Sequence, residues 1–154
     1  MHAPNLSFAY SMLTMSISID TATHLATIHL IGVLTEGVLA RVRQDANSVM
    51  RGKADGFVIH MERLVVACSD LRVHGAGALA IPGALVVRPE SLGPAKAYAD
   101  SVRADGLERK AFTCARRASS WVAEQVDLHQ AQAQWRLTQA FPGFGQRLPT
   151  ASLR

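Results

Sequence analysis

The fold of this chain is decided by residues 82–122, which are PGALVVRPESLGPAKAYADSVRADGLERKAFTCARRASSWV. A short apolar run at 84–87 predicts a buried strand. Pro94 suits the first turn of a helix that follows it, and apolar residues then recur at helical spacing. Residues 109–113 predict another strand and 115–126 another helix. Strands that alternate with helices in this order indicate a mostly parallel sheet with right-handed crossovers.

The segments before residue 82 extend the same pattern. Residues 16–20 alternate polar and apolar side chains, and residues 24–31 are rich in β-branched and apolar ones, so both predict strands. The three residues between them are few enough for a hairpin, which makes this strand pair antiparallel. A helix is expected from Glu36, capped by Thr35, and a covered strand from Gly56 to Met61.

The predicted fold is therefore α/β: a single domain with a five-stranded mixed, mostly parallel sheet and crossover helices. We place this domain at residues 15–126. Residues 1–14 are expected to be a disordered lead before it. Residues 127–154 are expected to form a helical extension and a flexible tail.

Composition excludes several classes of protein. The chain has 154 residues, of which 49% are hydrophobic and 18% charged, so it is too apolar for intrinsic disorder. Its longest apolar run is too short and too interrupted for a membrane span. Residues 128–154 carry three arginines and no acid, so the rest of the chain has a net charge of only +1. The basic residues are scattered, and nucleic acid is not an expected partner.

Two cysteines, far apart in the sequence, match no zinc spacing, and nothing at the start of the chain has the pattern of a signal peptide. A cytoplasmic location with reduced thiols is expected. Among the histidines, His29 and His60 are placed to meet on neighbouring strands, but no third ligand accompanies them. We expect no metal and no cofactor.

No residue pattern predicts catalysis. The glycines at 75 and 77 match a dinucleotide-binding fingerprint, but they fall mid-chain, where a packed turn explains them better. A serine elbow and a catalytic cysteine pattern are both missing from the sequence. The turn Cys68-Ser69-Asp70 follows the middle strand, where α/β proteins place functional sites. It is a candidate regulatory turn, although a plain helix cap is the simpler explanation of Ser69 or Asp70.

The order of elements from residue 16 to 126 resembles the STAS domain, the sulfate-transporter and anti-sigma-factor-antagonist fold. Residues 82–102 and 109–122 carry the resemblance, and they are most similar to the bacterial sporulation anti-anti-sigma-like branch grouped with SEC14-type domains. Regulatory members of that family carry an Asp-Ser-Ser-Gly turn whose first serine accepts phosphate. Ser69 falls at the phosphate-accepting position, whereas Cys68 and Asp70 replace the first Asp and the second Ser.

This resemblance implies a non-catalytic regulatory or scaffold domain that acts through protein contacts. The SEC14-like branch implies an alternative, a carrier of a small apolar or lipid-like ligand. A cavity of several hundred Å³ with apolar walls would favour the carrier, and a filled core with an exposed apolar patch would favour the scaffold.

The last prediction from sequence concerns assembly. Trp121 and Trp135 are 14 residues apart, so a single helix would place them on one face. The apolar residues of the extension cannot all be buried in a domain closed by its last helix. We therefore expect a homodimer whose interface contains Leu128, Trp135, Leu137 and Phe141.

Overall fold

The structure is a computed structural model that describes residues 5–68 and 79–140. Those residues form six strands, three α-helices and one 3-10 turn. In chain order the elements are β1 (Asn5–Ala9), β2 (Leu13–Ile19), β3 (Leu25–Leu34), α1 (Glu36–Met50), β4 (Gly56–Val66), β5 (Gly83–Val86), the 3-10 turn (Pro89–Ser91), α2 (Leu92–Arg103), β6 (Arg109–Phe112) and α3 (Ala115–Ala140).

All six strands belong to one sheet, and their order in the sheet is their order in the sequence. β1, β2 and β3 are antiparallel neighbours, whereas β3, β4, β5 and β6 are parallel. This confirms the predicted mixed, mostly parallel α/β sheet. The predicted number of five strands is wrong, because β1 adds a sixth.

The sixth strand lies within residues 1–14, the segment expected to be a disordered lead. β1 pairs along its whole length with β2, from Asn5 opposite Ser18 to Ala9 opposite Thr14. Sequence reasoning missed it because an edge strand buries few side chains, and only Phe8 of β1 is partly buried. The domain therefore begins before residue 15.

The hairpin between β2 and β3 forms at the predicted residues. The Asp20 carboxylate accepts hydrogen bonds from the backbone amides of Ala22 (2.7 Å) and Thr23 (3.2 Å). These two bonds hold the pKa of Asp20 below its usual value. The turn is thus closed by a short acidic side chain on its own backbone, a common device in tight turns.

The two faces of the sheet have separate cores. α1 lies against β2 and β3, and α2 packs against β6, on one face of the sheet. α3 packs on the opposite face against β4, β5 and β6. Gly56 permits this close approach, because a Cβ there would lie only 2.6 Å from a methyl group of Val122. The resulting small core contains Val58, Ala84, Val86, Ala118, Val122 and Val126.

α3 is a single helix that continues through residues 127–140, where a helical extension was expected. Its last buried residue is Val126. The next 14 residues therefore extend for about 21 Å, at 1.5 Å per residue, without burying a side chain. Residues 141–154 lie outside the described part of the chain.

Candidate ligand-binding cavity

A cavity of about 600 Å³ lies between the sheet and the two helices on one of its faces. α1 covers β2 and β3 and α2 covers β6, so the helices leave room above the middle strands. Side chains from both helices and from β2 to β6 line it. Its volume is that of a typical small-molecule site, which spans roughly 300–1,000 Å³.

The sheet supplies an apolar floor for this cavity. Successive strands each contribute large side chains on the covered face, because residues two apart point the same way. α1 supplies much of the opposite wall from its apolar stripe, including Leu39, Val42 and Met50. The floor side chains are Met15, Ile28, Leu30, Phe57, Ile59, Met61 and Leu85.

One end of the cavity is shaped by a row of three residues on adjacent strands. Phe57 of β4 pairs with Gly83 of β5, and Gly83 pairs with Arg109 of β6. A Cβ at position 83 would overlap the Phe57 ring, so glycine leaves the space in which that ring lies. Across this space the Arg109 guanidinium carbon is 4.7 Å from the centre of the Phe57 ring, a cation–π distance.

Arg109 is the single buried charged side chain within residues 5–68 and 79–140, with 6% of its surface exposed. Its guanidinium donates hydrogen bonds to three backbone carbonyl oxygens, those of Ile81 (2.7 Å), Glu108 (2.8 Å) and Leu79 (3.2 Å). Burial, together with the positive charge of Arg43, lowers the pKa of Arg109 to about 10. Arg109 is therefore still a cation at neutral pH.

Other polar groups lie at the helical side of the cavity. Arg43 and Asn47 come from α1, and Tyr98 comes from α2. Asp105, after α2, is exposed at the rim. The arrangement is an apolar chamber with a few convergent polar groups, which is the usual composition of a small-molecule site.

Sequence reasoning named none of these polar residues as a site. Arg43 carried a usable signal, because it lies four residues after Leu39 and three before Ala46, within the apolar stripe of α1. Arg109 carried none, since its contact with Phe57 depends on the register of three strands that are distant in sequence. Local patterns do not encode that register.

The candidate regulatory turn is described only at its first residue. Cys68 is half-buried just after β4, and its thiol donates a hydrogen bond to the carbonyl oxygen of Leu34, 3.3 Å away. Burial raises the pKa of Cys68, and the nearby Glu36 raises it further. Ser69 and Asp70 lie outside the described residues, so a phosphate-accepting turn stays a prediction.

His29 and His60 meet, as their placement on neighbouring strands predicts. Their rings stack 4.4 Å apart at an angle of 13°. The Nδ1 atom of His60 is 3.2 Å from a carboxylate oxygen of Glu62. Within the described ranges, no three His, Cys, Asp or Glu side chains are arranged to hold a metal ion.

The predicted interface residues divide between two sides of α3. Leu128 and Trp135 are seven residues apart and are 53% and 64% exposed, so they share one side of the helix. Leu137 is also exposed, but nine residues after Leu128 it points about 180° away from it. Leu137 therefore lies on the opposite side of the helix from Leu128, and the interface itself stays a prediction. Phe141 lies outside the described residues.

Comparison with known proteins identifies the fold. No family model and no curated protein matches the sequence. Among solved structures, the chain is similar to an uncharacterized protein of the DUF3478 family with a SpoIIAA-like fold from Shewanella loihica PV-4. The match covers 75% of this chain and 98% of that chain, with 14% identity and a TM-score of 0.50. The fold is therefore SpoIIAA-like, in agreement with the resemblance to STAS domains. In the part of the chain that the structure describes, none of the helices has the length and apolarity to cross a membrane.

Proposed function

We propose that this SpoIIAA-like domain is a binding protein that holds a small apolar ligand in the cavity between its sheet and the helices α1 and α2. The single observation that carries this proposal is a chamber of about 600 Å³ with mostly aliphatic and methionine walls. The cavity is partly open to solvent, and a cleft of this size with mostly apolar walls is typical of a small-molecule site.

The chemistry of the walls supports binding rather than catalysis. Aliphatic, methionine and aromatic side chains form most of the lining, and they neither transfer protons nor attack a substrate. They gain about 25 cal/mol for each Å² of apolar surface that a ligand removes from water. An apolar ligand would thus bind mainly through the hydrophobic effect.

The test places a larger side chain in the cavity by a substitution on α1. Ala46 lines the cavity and is buried, whereas Ala40 lies on the exposed side of the same helix. We expect the uncharged fluorophore N-phenyl-1-naphthylamine to bind the wild-type chain and the Ala40→Phe control. In Ala46→Phe the new ring would occupy the chamber, so binding should fall about tenfold or more.

Two results would contradict the proposal. One is equal fluorophore binding by Ala46→Phe and Ala40→Phe, with both variants folded by circular dichroism. The other is a wild-type chain that binds no fluorophore and, in native mass spectrometry after purification from its source, carries no added mass.

A second candidate function, protein contact, is favoured by α3. The side chains of Leu128 and Trp135 are more than half exposed on one side of the extension, beyond the last buried residue. Trp121, seven residues before Leu128, continues this stripe toward the domain. Apolar side chains repeated every seven residues are typical of helices that pair. This stripe supports a scaffold role through a homodimer, which is compatible with ligand binding on the other face of the sheet.

A further inference from the structure

α3 covers only part of its face of the sheet, since it packs against β4, β5 and β6. On β4, Leu64 points into the core under α1, so its neighbours Arg63 and Val65 point to the α3 side. Val65 pairs with Val33 of β3, and Ile31 is on the same side of β3 as Val33. Ile31 and Val65 are 38% and 57% exposed. Ile31, Val33 and Val65 thus form a partly exposed apolar surface, which we call the β3–β4 patch.

The exposed part of α3 does not reach the β3–β4 patch of its own chain. α3 starts just after β6 and runs back toward the starts of the parallel strands, where Val122 and Val126 lie against Gly56, the first residue of β4. The extension, residues 127–140, therefore leaves the sheet at the start of β4. Val65 lies near the other end of that strand, about 30 Å from Gly56 at roughly 3.3 Å per residue. Since the extension leads away from the patch, the two surfaces can meet only between chains.

The exposed stripe of α3 has a single row of large side chains. Leu128 and Trp135 occupy one position of a seven-residue repeat. The residues three positions after them, Ala131 and Thr138, are small. Two helices that pair with each other fill both of these positions with large apolar residues. A single row is better suited to an apolar sheet surface, because the side chains of several strands then contact one helix.

Charged residues of opposite sign lie beside the two surfaces. Arg63 pairs with Ile31 across β3 and β4, so it lies at the edge of the β3–β4 patch, and its side chain is exposed. Glu124 is exposed one helical turn before Leu128, on the same side of α3. Opposite charges that come together across an interface favour one partner and one register. This complementarity favours a second copy of the chain as the occupant of the patch.

We propose that the α3 extension of one chain docks on the β3–β4 patch of a second copy, with Trp135 against Val65 and Glu124 beside Arg63. This inference rests on the second candidate function, the homodimer, and names the surface that its exposed stripe contacts. Reciprocal docking closes the pair as a dimer that contains the contact twice. Each chain then buries a tryptophan of roughly 150–250 Å², a substantial part of the ~800 Å² per partner that stable interfaces bury.

Sedimentation of the full-length chain at tens of micromolar tests the patch side of this contact. Val65→Ser removes an apolar side chain from the patch. Val66→Ser makes the same change at the next residue, which is also exposed but points to the other side of β4. We expect Val65→Ser to raise the dissociation constant of the dimer about tenfold or more, because the burial of a valine side chain is lost. Val66→Ser should dimerise as the wild-type chain does, with both variants folded by circular dichroism.

Charge reversal tests the pairing of the two surfaces directly. Arg63→Glu and Glu124→Arg should each raise the dissociation constant about two- to fivefold, the range expected for an exposed ion pair. A chain with both substitutions again has opposite charges at the contact, so its dimer should regain the strength of the wild type. A double variant as weak as the single ones, or weaker, would contradict the contact.

The outcomes separate this inference from the homodimer on which it rests. If Val65→Ser dimerises as well as Val66→Ser while Trp135→Ser does not dimerise, the patch is not the docking surface and the homodimer through α3 stands. If the wild-type chain sediments as a monomer, the homodimer and the inference are both wrong. Weaker dimers in Val65→Ser and Trp135→Ser, with restoration by the double charge reversal, support the inference.

Discussion

The two cysteines have the same side chain, but their surroundings shift its pKa in opposite directions. Cys114 is exposed at the start of α3, where the backbone amides of Arg117 and Arg116 donate to its sulfur. These bonds lower the pKa of Cys114, and the positive side chains of the same two residues lower it further. Cys68 has the opposite surroundings, because burial and Glu36 raise its pKa.

We therefore expect Cys114 to be the more reactive thiol, since the thiolate is the nucleophile. Limited treatment with iodoacetamide near neutral pH should alkylate Cys114 well before Cys68, as measured by peptide mass spectrometry. The rate at Cys114 should reach half its maximum at a lower pH than that of a free cysteine. Cys114→Ser should leave only the slow reaction, and faster alkylation of Cys68 would contradict the assignment.

A glycine substitution tests the row Phe57, Gly83 and Arg109. In Gly83→Ala the new Cβ would overlap the Phe57 ring, which would have to move toward the Arg109 guanidinium or into the cavity. Overpacking of this kind costs about 1–3 kcal/mol. Urea unfolding should show that loss in the free energy of unfolding, and fluorophore binding should weaken.

Gly37→Ala is the matched control for this variant. Gly37 is exposed in the first turn of α1, and a Cβ there would make only an ordinary contact with Thr35. Alanine favours helix over glycine by up to about 1 kcal/mol, so this variant should be unchanged or more stable. Equal effects of the two substitutions would contradict the steric role of Gly83.

At the scale of elements, a hydrogen bond joins the first hairpin to α1. The Tyr10 hydroxyl, between β1 and β2, donates to the carboxylate of Asp45 at 2.6 Å. Burial and the Asp45 carboxylate together raise the pKa of Tyr10. The guanidinium of Arg41, one turn before Asp45, lies 5.5 Å from the centre of the Tyr10 ring. The N-terminal residues are thus part of the domain through side chains as well as through the sheet.

Tyr10→Phe should lower the free energy of unfolding by about 1–2 kcal/mol, the range for a hydrogen bond to a charged group in a partly exposed setting. Asp45→Asn weakens the same bond from the other side. If the bond carries the effect, the double variant should lose less than the sum of the two single losses, as a double-mutant cycle in urea unfolding would show. Strictly additive losses would indicate that the two residues stabilise the domain separately.

At the scale of the whole molecule, α3 has two parts. The residues up to Val126 pack on the domain, and the exposed extension after it could join two chains. Val126 is the last buried residue of the helix, so truncation after it removes no buried side chain among residues 127–140. The truncated chain should keep its unfolding transition. If the exposed stripe forms a homodimer interface, full-length protein should sediment as a dimer at tens of micromolar and the truncated chain as a monomer.

Point variants on the two sides of α3 refine this prediction. Trp135→Ser, on the stripe with Leu128, should weaken the dimer strongly, since large aromatic side chains dominate interface energetics. Leu137→Ser, on the opposite side, should have a smaller effect. A full-length monomer in analytical ultracentrifugation would contradict the dimer altogether.

The sequence by itself determined the features that short segments encode. The β2–β3 hairpin followed from two strand patterns separated by three residues, and Asp20 closes it within its own turn. The alternation of strands and helices from residue 36 onward followed from hydrophobic periodicity and from Pro94. The contact between His29 and His60 could be predicted, because both residues lie on neighbouring strands. All of these depend on residues close in sequence or on strands that follow one another in the chain.

Only the tertiary structure decided the extent of the sheet and the presence of a site. β1 has too few buried side chains for a clear pattern, and its pairing with β2 defines it as a strand. The cavity exists because α1 and α2 cover different strands, a spacing that no single segment encodes. Arg109 contacts Phe57 across Gly83 because three strands align in one register, although 52 positions separate the two residues in the sequence. Register and helix spacing are set by the packing of the whole core, which is why the candidate site could not be predicted from the sequence.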